Sequence, residues 1–387
     1  MLKHALEKVK VVDLSSYIAG SFCPTLLADL GADVIKLESP AGDPFRMSQG
    51  AFQAWNRGKR SISVDLRTDE GGKILYKLVT DSDVVVENYR PGVAKRLRAD
   101  YDTLSRINPA LIYCSISGYG QTGPYSKKPG FDPLLQARSG AMARQGGPER
   151  PPIFLAVAIS DYSAAMLGAW GIAMALFARA RTGKGQWVET SLVNATMAIQ
   201  SGRFILLSGK SEADEDGGGL GPTPTYRCYP TADGWIFIAA RNDDEWTRLV
   251  RSLGREELAR DQRFDTQAKR LKAASELGAL LEDTFAREVS SHWLERLETD
   301  EVLCAPVNYF DDLFDHPQVR RNGLVVEHDS RDIGTFRQIG VPIMLSRTPG
   351  IARCAAPALG QHTDEILGEL GYSLEEITRL HEKKVVY

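Results

Sequence analysis

Short apolar runs alternate with amphipathic stretches through the first half of the chain. Residues 9–14 (VKVVDL), 32–37 (ADVIKL), 61–66 (SISVDL), 84–88 (VVVEN) and 111–117 (LIYCSIS) each hold a compact apolar block. Blocks of this length read as strands, and a continuous run such as VVVEN reads as a strand buried on both faces. Between them, residues 22–30 and the stretch DEGGKILYKLVTDSD read as helices. Gly31 stops the first, and Asp69 and Glu70 open the second, where the helix dipole favours acids. Strands alternating with helices predict an α/β fold, a large doubly wound, Rossmann-like parallel sheet with ligands at the carboxyl ends of its strands.

Residues 153–193 carry a longer pattern. An apolar run reaches Ser160 and Asp161, an Ala/Gly-rich segment follows, and the turn RTGKGQ leads into a strand-like WVETSLV. Asp161 therefore falls where an extended segment becomes a helix. One reading makes it a simple N-cap, a position Asp favours. The other makes it a reactive carboxylate, held ionised by the helix dipole beside backbone donors suited to an oxyanion.

The pattern changes near Ser211, where SEADEDGGGLGPTPT is acidic and then rich in Gly and Pro. The expected division is 1–210 as the N-terminal part of a large domain and 211–224 as a loop or linker. A smaller α+β domain over 225–320 follows, with 321–387 returning to the large domain. TYRCYPTADGWIFIAA reads as a hairpin turning at Asp233-Gly234, and VVEHDSRDIGTFRQIGVPIML as another.

Composition narrows the function classes. Lys and Arg are spread along a chain of net charge −3, which excludes the concentrated basic face of a nucleic-acid binder. Five Cys lack any C-x-x-C and six His lack any metal-binding spacing, so no metal is expected and a reducing cytoplasm is. The apolar runs read as too short or too interrupted to span a bilayer. No G-x-G-x-x-G follows the first strand and no G-x-S-x-G occurs, against a nicotinamide enzyme and a serine hydrolase.

The candidate chemistry lies at strand ends. Asn88-Tyr89-Arg90-Pro91-Gly92 follows VVVEN and offers an amide, a flat ring, a charge and a fixed turn. Arg96 follows on the next helix. Arg57, Lys59 and Arg60 read either as positive charge for a ligand or as a solvated loop. A Gly-rich loop, 118–125, follows LIYCSIS, and Phe131-Asp132 open a further helix. Asp132 is either that helix's cap or a second carboxylate in the site.

Taken as an ordered series, VVDLSSYIAG, LLADLGADVIKLESPAGD, NRGKRSISVDL, VVENYRPG, ISGYGQTGP, GFDPLLQARSG, SDYSAAMLGAWGIAMALFARARTGKGQ and LGQHT resemble the class III CoA-transferase family. That family includes formyl-CoA transferase, carnitine CoA-transferase and the α-methylacyl-CoA racemases. The resemblance implies an interlocked, ring-like homodimer with no tightly bound cofactor, using coenzyme A and acyl-CoA as substrates with a carboxylic acid acceptor. It places the catalytic aspartate at Asp161 and CoA contacts near Ala19, Asn88, Tyr89, Arg90 and Arg96. Gly217, Gly218 and Gly219 become a candidate lid. The racemases carry a catalytic His where this chain has Phe131, so transfer ranks above racemisation, and a non-catalytic CoA-binding homologue is the other alternative. Formyl-CoA transferase has a Gln where this chain has Ile18. Several blocks look closer to relatives that pass CoA from succinyl-CoA to dicarboxylates. Arg46, Arg138 and Arg144 are then candidates to hold a second carboxylate.

Overall fold

The computed structural model describes residues 2–146, 151–205 and 219–387. It divides into two compact units. The first comprises Met1–Ser139, Leu155–Ile205 and Phe314–Tyr387; the second comprises Gly140–Phe154 and Leu206–Leu313.

The first unit is built on six parallel strands: β1 (Lys10–Asp13), β2 (Asp33–Glu38), β3 (Arg60–Ser63), β4 (Val84–Glu87), β5 (Ile112–Ser117) and β6 (Gln186–Ser191). Their order is β3-β2-β1-β4-β5-β6, so the winding reverses between β1 and β4. Side chains alternate across the sheet. Val12, Val85 and Tyr113 enter one core, while Val11, Val84, Val86, Ile112, Cys114 and Ile116 enter the other. Both faces are thus covered, which is why the strands read as unbroken apolar runs.

Two helices matter most to the site. Helix α1 (Tyr17–Asp29) follows β1, and α2 (Ile159–Thr182) precedes β6. Each runs back along the parallel sheet, so each begins at the carboxyl edge of the strands. They pack against each other on one face. Small residues permit this closeness: a Cβ on Gly168 would lie 2.9 Å from Ile116 Cδ1 and 3.2 Å from Cys23 Sγ. By length and composition α2 could cross a membrane, contrary to the expectation that no apolar run is long enough. The Ala and Gly positions that broke the run on inspection keep it apolar as a helix. It nonetheless packs on β5 and β6.

The C-terminal segment supplies a hairpin, β10 (Val325–Ser330) with β11 (Gly334–Ile339), and two helices, Thr363–Glu369 and Leu374–Glu382. Ile366, Leu367, Ile377 and Leu380 of these helices complete the first core. The second unit holds an antiparallel sheet of β7 (Tyr226–Pro230), β8 (Trp235–Ala239) and β9 (Leu303–Pro306), covered by helices around Trp246, Leu281 and Phe285. The loop between β7 and β8 contains Asp233-Gly234 at the predicted turn.

Candidate functional site

The reversal between β1 and β4 opens a crevice at the carboxyl edge, the usual ligand position in such sheets. Asn88 bridges it. Its Oδ1 accepts from Ser16 N at 2.9 Å, and its Nδ2 donates to Ser16 O at 2.6 Å. The amide expected to serve a ligand is therefore spent on the chain. Its work is to hold the start of α1, where Tyr17 adopts φ +61°. A non-glycine residue in the left-handed region costs roughly 1–3 kcal/mol and persists only where neighbours impose it. Glu87, buried at the end of β4, accepts from Tyr89 N at 2.8 Å and fixes the same turn. Burial pushes Glu87 up to about 7 against its hydrogen bonds from Ser115 and Tyr89.

Beneath α1 lies a buried charged floor. Lys59 Nζ bonds Asp13 Oδ2 at 2.8 Å, Ser21 O at 2.7 Å and Asn56 Oδ1 at 2.9 Å. Lys36 lies 3.2 Å from Asp43 and 3.9 Å from Asp13. Burial opposes ionisation of Asp13, but Lys36 and Lys59 outweigh it and hold the carboxyl below its ordinary value. Burial also draws Lys59 down to about 8, although Asp13 pulls the other way. Arg57 forks onto Asp29 at 3.0 and 2.6 Å. Arg57 and Lys59 are thus not a solvated loop: they are 1% and 2% exposed. Arg60, half buried, pairs with Asp33 and Glu369. The sequence does not reveal this because the acids come from β1, α1, β2 and the C-terminal helix Thr363–Glu369.

The two candidate carboxylates meet at the start of α2. The N-cap position is Ala158, and Asp161 is the third helical residue, not the cap. The capping acceptor is Asp132, which takes Ser160 N at 2.7 Å and Asp161 N at 3.4 Å. Asp132 does not cap its own helix, Asp132–Arg138, where Phe131 holds the N-cap position. Gln136 steadies it, donating to Asp132 and to Leu155 O while accepting from Leu155 N. Ile159 N bonds Val157 O and Tyr162 N bonds Ala158 O, so the first turn of α2 keeps no open donor beyond the loosely held Asp161 N–H. The dipole that was expected to hold Asp161 ionised is answered by Asp132 instead. Burial, then the Asp132 charge, pushes Asp161 up to about 7. No hydrogen bond to its carboxylate is found among the described residues. Aromatic groups line this end: Trp55 Nε1 donates to Tyr162 OH at 3.1 Å, Phe45 packs on Trp55, and Tyr17 packs on Phe45.

The other expected residues separate by environment. Ala19 is buried in α1, and Tyr89 packs its ring against the first core instead of offering an open face. Arg90 and Arg96 are exposed beyond β4 and form no ion pair among the described residues. Arg46 is committed to Glu38 at 2.8 and 2.5 Å and to Pro357 O. Arg144 falls in the second unit. Arg138 lies over the rings of Tyr125 (5.0 Å) and Tyr119 (5.7 Å) with no acid partner among the described residues. Gly217 and Gly218 lie outside the described residues, and Gly219 has φ +79°. Sequence reading missed Asp13, Lys36, Glu87, Trp55 and Tyr162. An acid closing the apolar run VVVE was the one available signal for Glu87.

Fold and site together define an α/β protein that gathers cations and a desolvated carboxylate at the carboxyl edge of a doubly wound sheet. Such an edge suits a large anionic ligand. The sequence profile of CoA-transferase family III matches residues 6–363. The chain is 34% identical to the succinate–glutarate CoA-transferase of Agrobacterium fabrum, covering 95% of this chain and 96% of that one. It is 36% identical to the succinyl-CoA–D-citramalate CoA-transferase of Chloroflexus aurantiacus, covering 98% of each. A solved CAIB/BAIF family protein from Brucella suis superposes with a TM-score of 0.88 at 35% identity, covering 95% of this chain and 100% of that one. The chain belongs to CoA-transferase family III and is an enzyme of that class.

Proposed function

We propose that the enzyme moves CoA from succinyl-CoA, or a similar acyl-CoA, to a dicarboxylic acid, with Asp161 as covalent carrier. The observation that carries this is the Asp161 carboxylate itself: partly buried beside Asp132, raised in basicity, and without a hydrogen-bond partner among the described residues. Desolvation strengthens a carboxylate nucleophile. Asp161 attacks the donor thioester carbonyl, forming a mixed anhydride and expelling CoA thiolate. The thiolate attacks the aspartyl carbonyl, giving aspartyl-CoA and releasing the donor acid. The acceptor carboxylate attacks this thioester, forming a second anhydride, and the thiolate then takes the new acyl group and frees Asp161. The Asp161 N–H, held by Asp132 at 3.4 Å, is the donor of the first turn most easily turned to an oxyanion.

In this reading Arg90 and Arg96, exposed beyond β4, meet the CoA phosphates, and Ala19, Asn88 and Tyr89 shape that crevice. Arg138 is the guanidinium we assign to the distal carboxylate. The named acids of the relatives above, glutarate and citramalate, support a dicarboxylate. Racemisation is the weaker reading, because Phe131 stands where the racemases carry a base. A homodimer accounts for the apolar stripe of Met166, Trp170, Met174 and Phe177, which are 52%, 63%, 49% and 56% exposed on successive turns of α2.

Incubation with succinyl-CoA followed by hydroxylamine tests the covalent step. The expected product is a hydroxamate on the peptide containing Asp161, absent from Asp161→Asn. Turnover without any adduct at Asp161 would overturn the proposal.

A further inference from the structure

The two carboxyls at the start of α2 have opposite surroundings, and a third side chain is the reason. Gln136 is fully buried on the helix Asp132–Arg138, one turn from Asp132 and on the same face. Its Oε1 accepts Leu155 N at 3.1 Å, and its Nε2 donates to Leu155 O at 3.1 Å and to Asp132 Oδ2. Val157 O, 3.4 Å from the same nitrogen, is a further acceptor. Turned over, the amide would set its NH2 against the Leu155 N–H, and its oxygen against two carbonyls and a carboxylate. The backbone leading into α2 therefore admits one orientation, and in it the amide offers Asp132 only N–H.

Donors thus reach both oxygens of Asp132. Oδ2 takes the Gln136 amide, and Oδ1 takes Ser160 N at 2.7 Å and Asp161 N at 3.4 Å. A carboxylic O–H on Asp132 would point at another donor, whereas a proton on Asp161 meets none. Among the described residues Asp132 is the one charged neighbour that raises Asp161. The helix Leu192–Ile199, packed on both helices, has no titratable side chain. Helix α1 faces α2 with Phe22 and the Cys23 thiol, and its Asp29 is tied to Arg57. Of the groups on β5 and β6, Tyr113 OH is spent on Ala99 O and Glu189 on Gln121 N, while Cys114 lies beside Cys23. Tyr162 OH is engaged by Trp55. Two interacting carboxyls take up their first proton where the hydrogen bonds tolerate it.

We propose that Gln136 is a positioning residue for the nucleophile: its locked amide keeps Asp132 an acceptor, so the proton held by the carboxyl pair rests on Asp161. The role in transfer rests on Asp161 being the covalent carrier. Ionised Asp161 then always stands beside a second negative charge. Forming the anhydride removes the charge of Asp161, so the repulsion from Asp132 favours the acylated state over the free carboxylate.

Carbon NMR of the intact protein, labelled at the aspartate carboxyl carbon, follows this proton without turnover. In the wild type one carbon should carry the whole protonation shift at a pH of about 7, and Asp161→Asn should remove that signal. Gln136→Met fills the space without a donor. The step should then move to lower pH by about half a unit or more, or divide over two carbons, as Asp132 gains room for the proton. Gln136→Glu keeps the acceptor for Leu155 N, and its buried carboxyl keeps a proton to offer Asp132, so the step should return to its wild-type position. A wild-type step divided between two aspartate carbons would overturn the proposal whatever the variants do. So would a folded Gln136→Met with an unmoved step, or Gln136→Glu titrating as Gln136→Met does. Hydroxylamine trapping tests the carrier role alone: a failure to label Asp161 there would leave these titrations as they are.

Discussion

Asp132 accepts the backbone N–H of Ser160, 28 residues further along the chain, at 2.7 Å and so caps the helix that begins at Ile159. This one contact sets the environment of Asp161. It satisfies the donors that would otherwise stabilise an ionised Asp161, and it brings a second negative charge beside it. A carboxylate made hard to ionise is the outcome.

Asp132→Asn keeps a capping oxygen and removes the charge. The Asp161 ionisation, which the rise of kcat/KM with pH should report near 7, is expected to move to lower pH. Asp132→Ala should in addition lose about 1 kcal/mol of stability with the cap. An unmoved pH limb in Asp132→Asn would show that the charge is not felt.

Asp161→Asn should abolish transfer while making the fold more stable at neutral pH. The folded chain binds the Asp161 proton more tightly than the unfolded chain does. Stability therefore falls as pH rises from the ordinary value of 3.8 to about 7. The advantage of the Asn variant should grow across that window and level off above it, reaching on the order of 2–4 kcal/mol. Urea unfolding of both proteins at pH 5 and pH 8 measures it.

Lys59→Met strips one cation from the buried Asp13 carboxylate. Breaking a buried pair in this way costs about 3–5 kcal/mol. A double variant, Asp13→Leu with Lys59→Met, should recover much of that loss, because no uncompensated charge remains. Denaturant midpoints of the single and double variants give the comparison.

Arg138→Leu removes the cation from the rings of Tyr119 and Tyr125. A hydrogen bond to a charged partner contributes about 1.5–3 kcal/mol, so KM for a dicarboxylate acceptor should rise roughly ten- to a hundredfold. Activity on acyl groups with one carboxyl should change little. An equal loss on both kinds of acid would remove Arg138 from the distal-carboxylate role.

The parallel strands, both hairpins and the helix beginning near Asp161 were legible because each depends on local periodicity. Val84, Val85 and Val86 announce a strand covered on both faces whichever helices cover it. Arg57 and Lys59 mark the limit of such reading. In sequence they form a charge run, and only the arrival of Asp29 from α1 and Asp13 from β1 makes them buried pairs.

The sequence by itself therefore determined the doubly wound sheet and placed Asp161 at a helix start, since apolar spacing and turn residues act over a few positions. Tertiary structure alone decided that Asp132 caps that helix, that Asn88 is spent on Ser16, and that Asp161 is raised to about 7. Those outcomes depend on which carboxylates, amides and N–H groups packing brings within 3 Å and shields from water, and that proximity is not encoded in spacing along the chain.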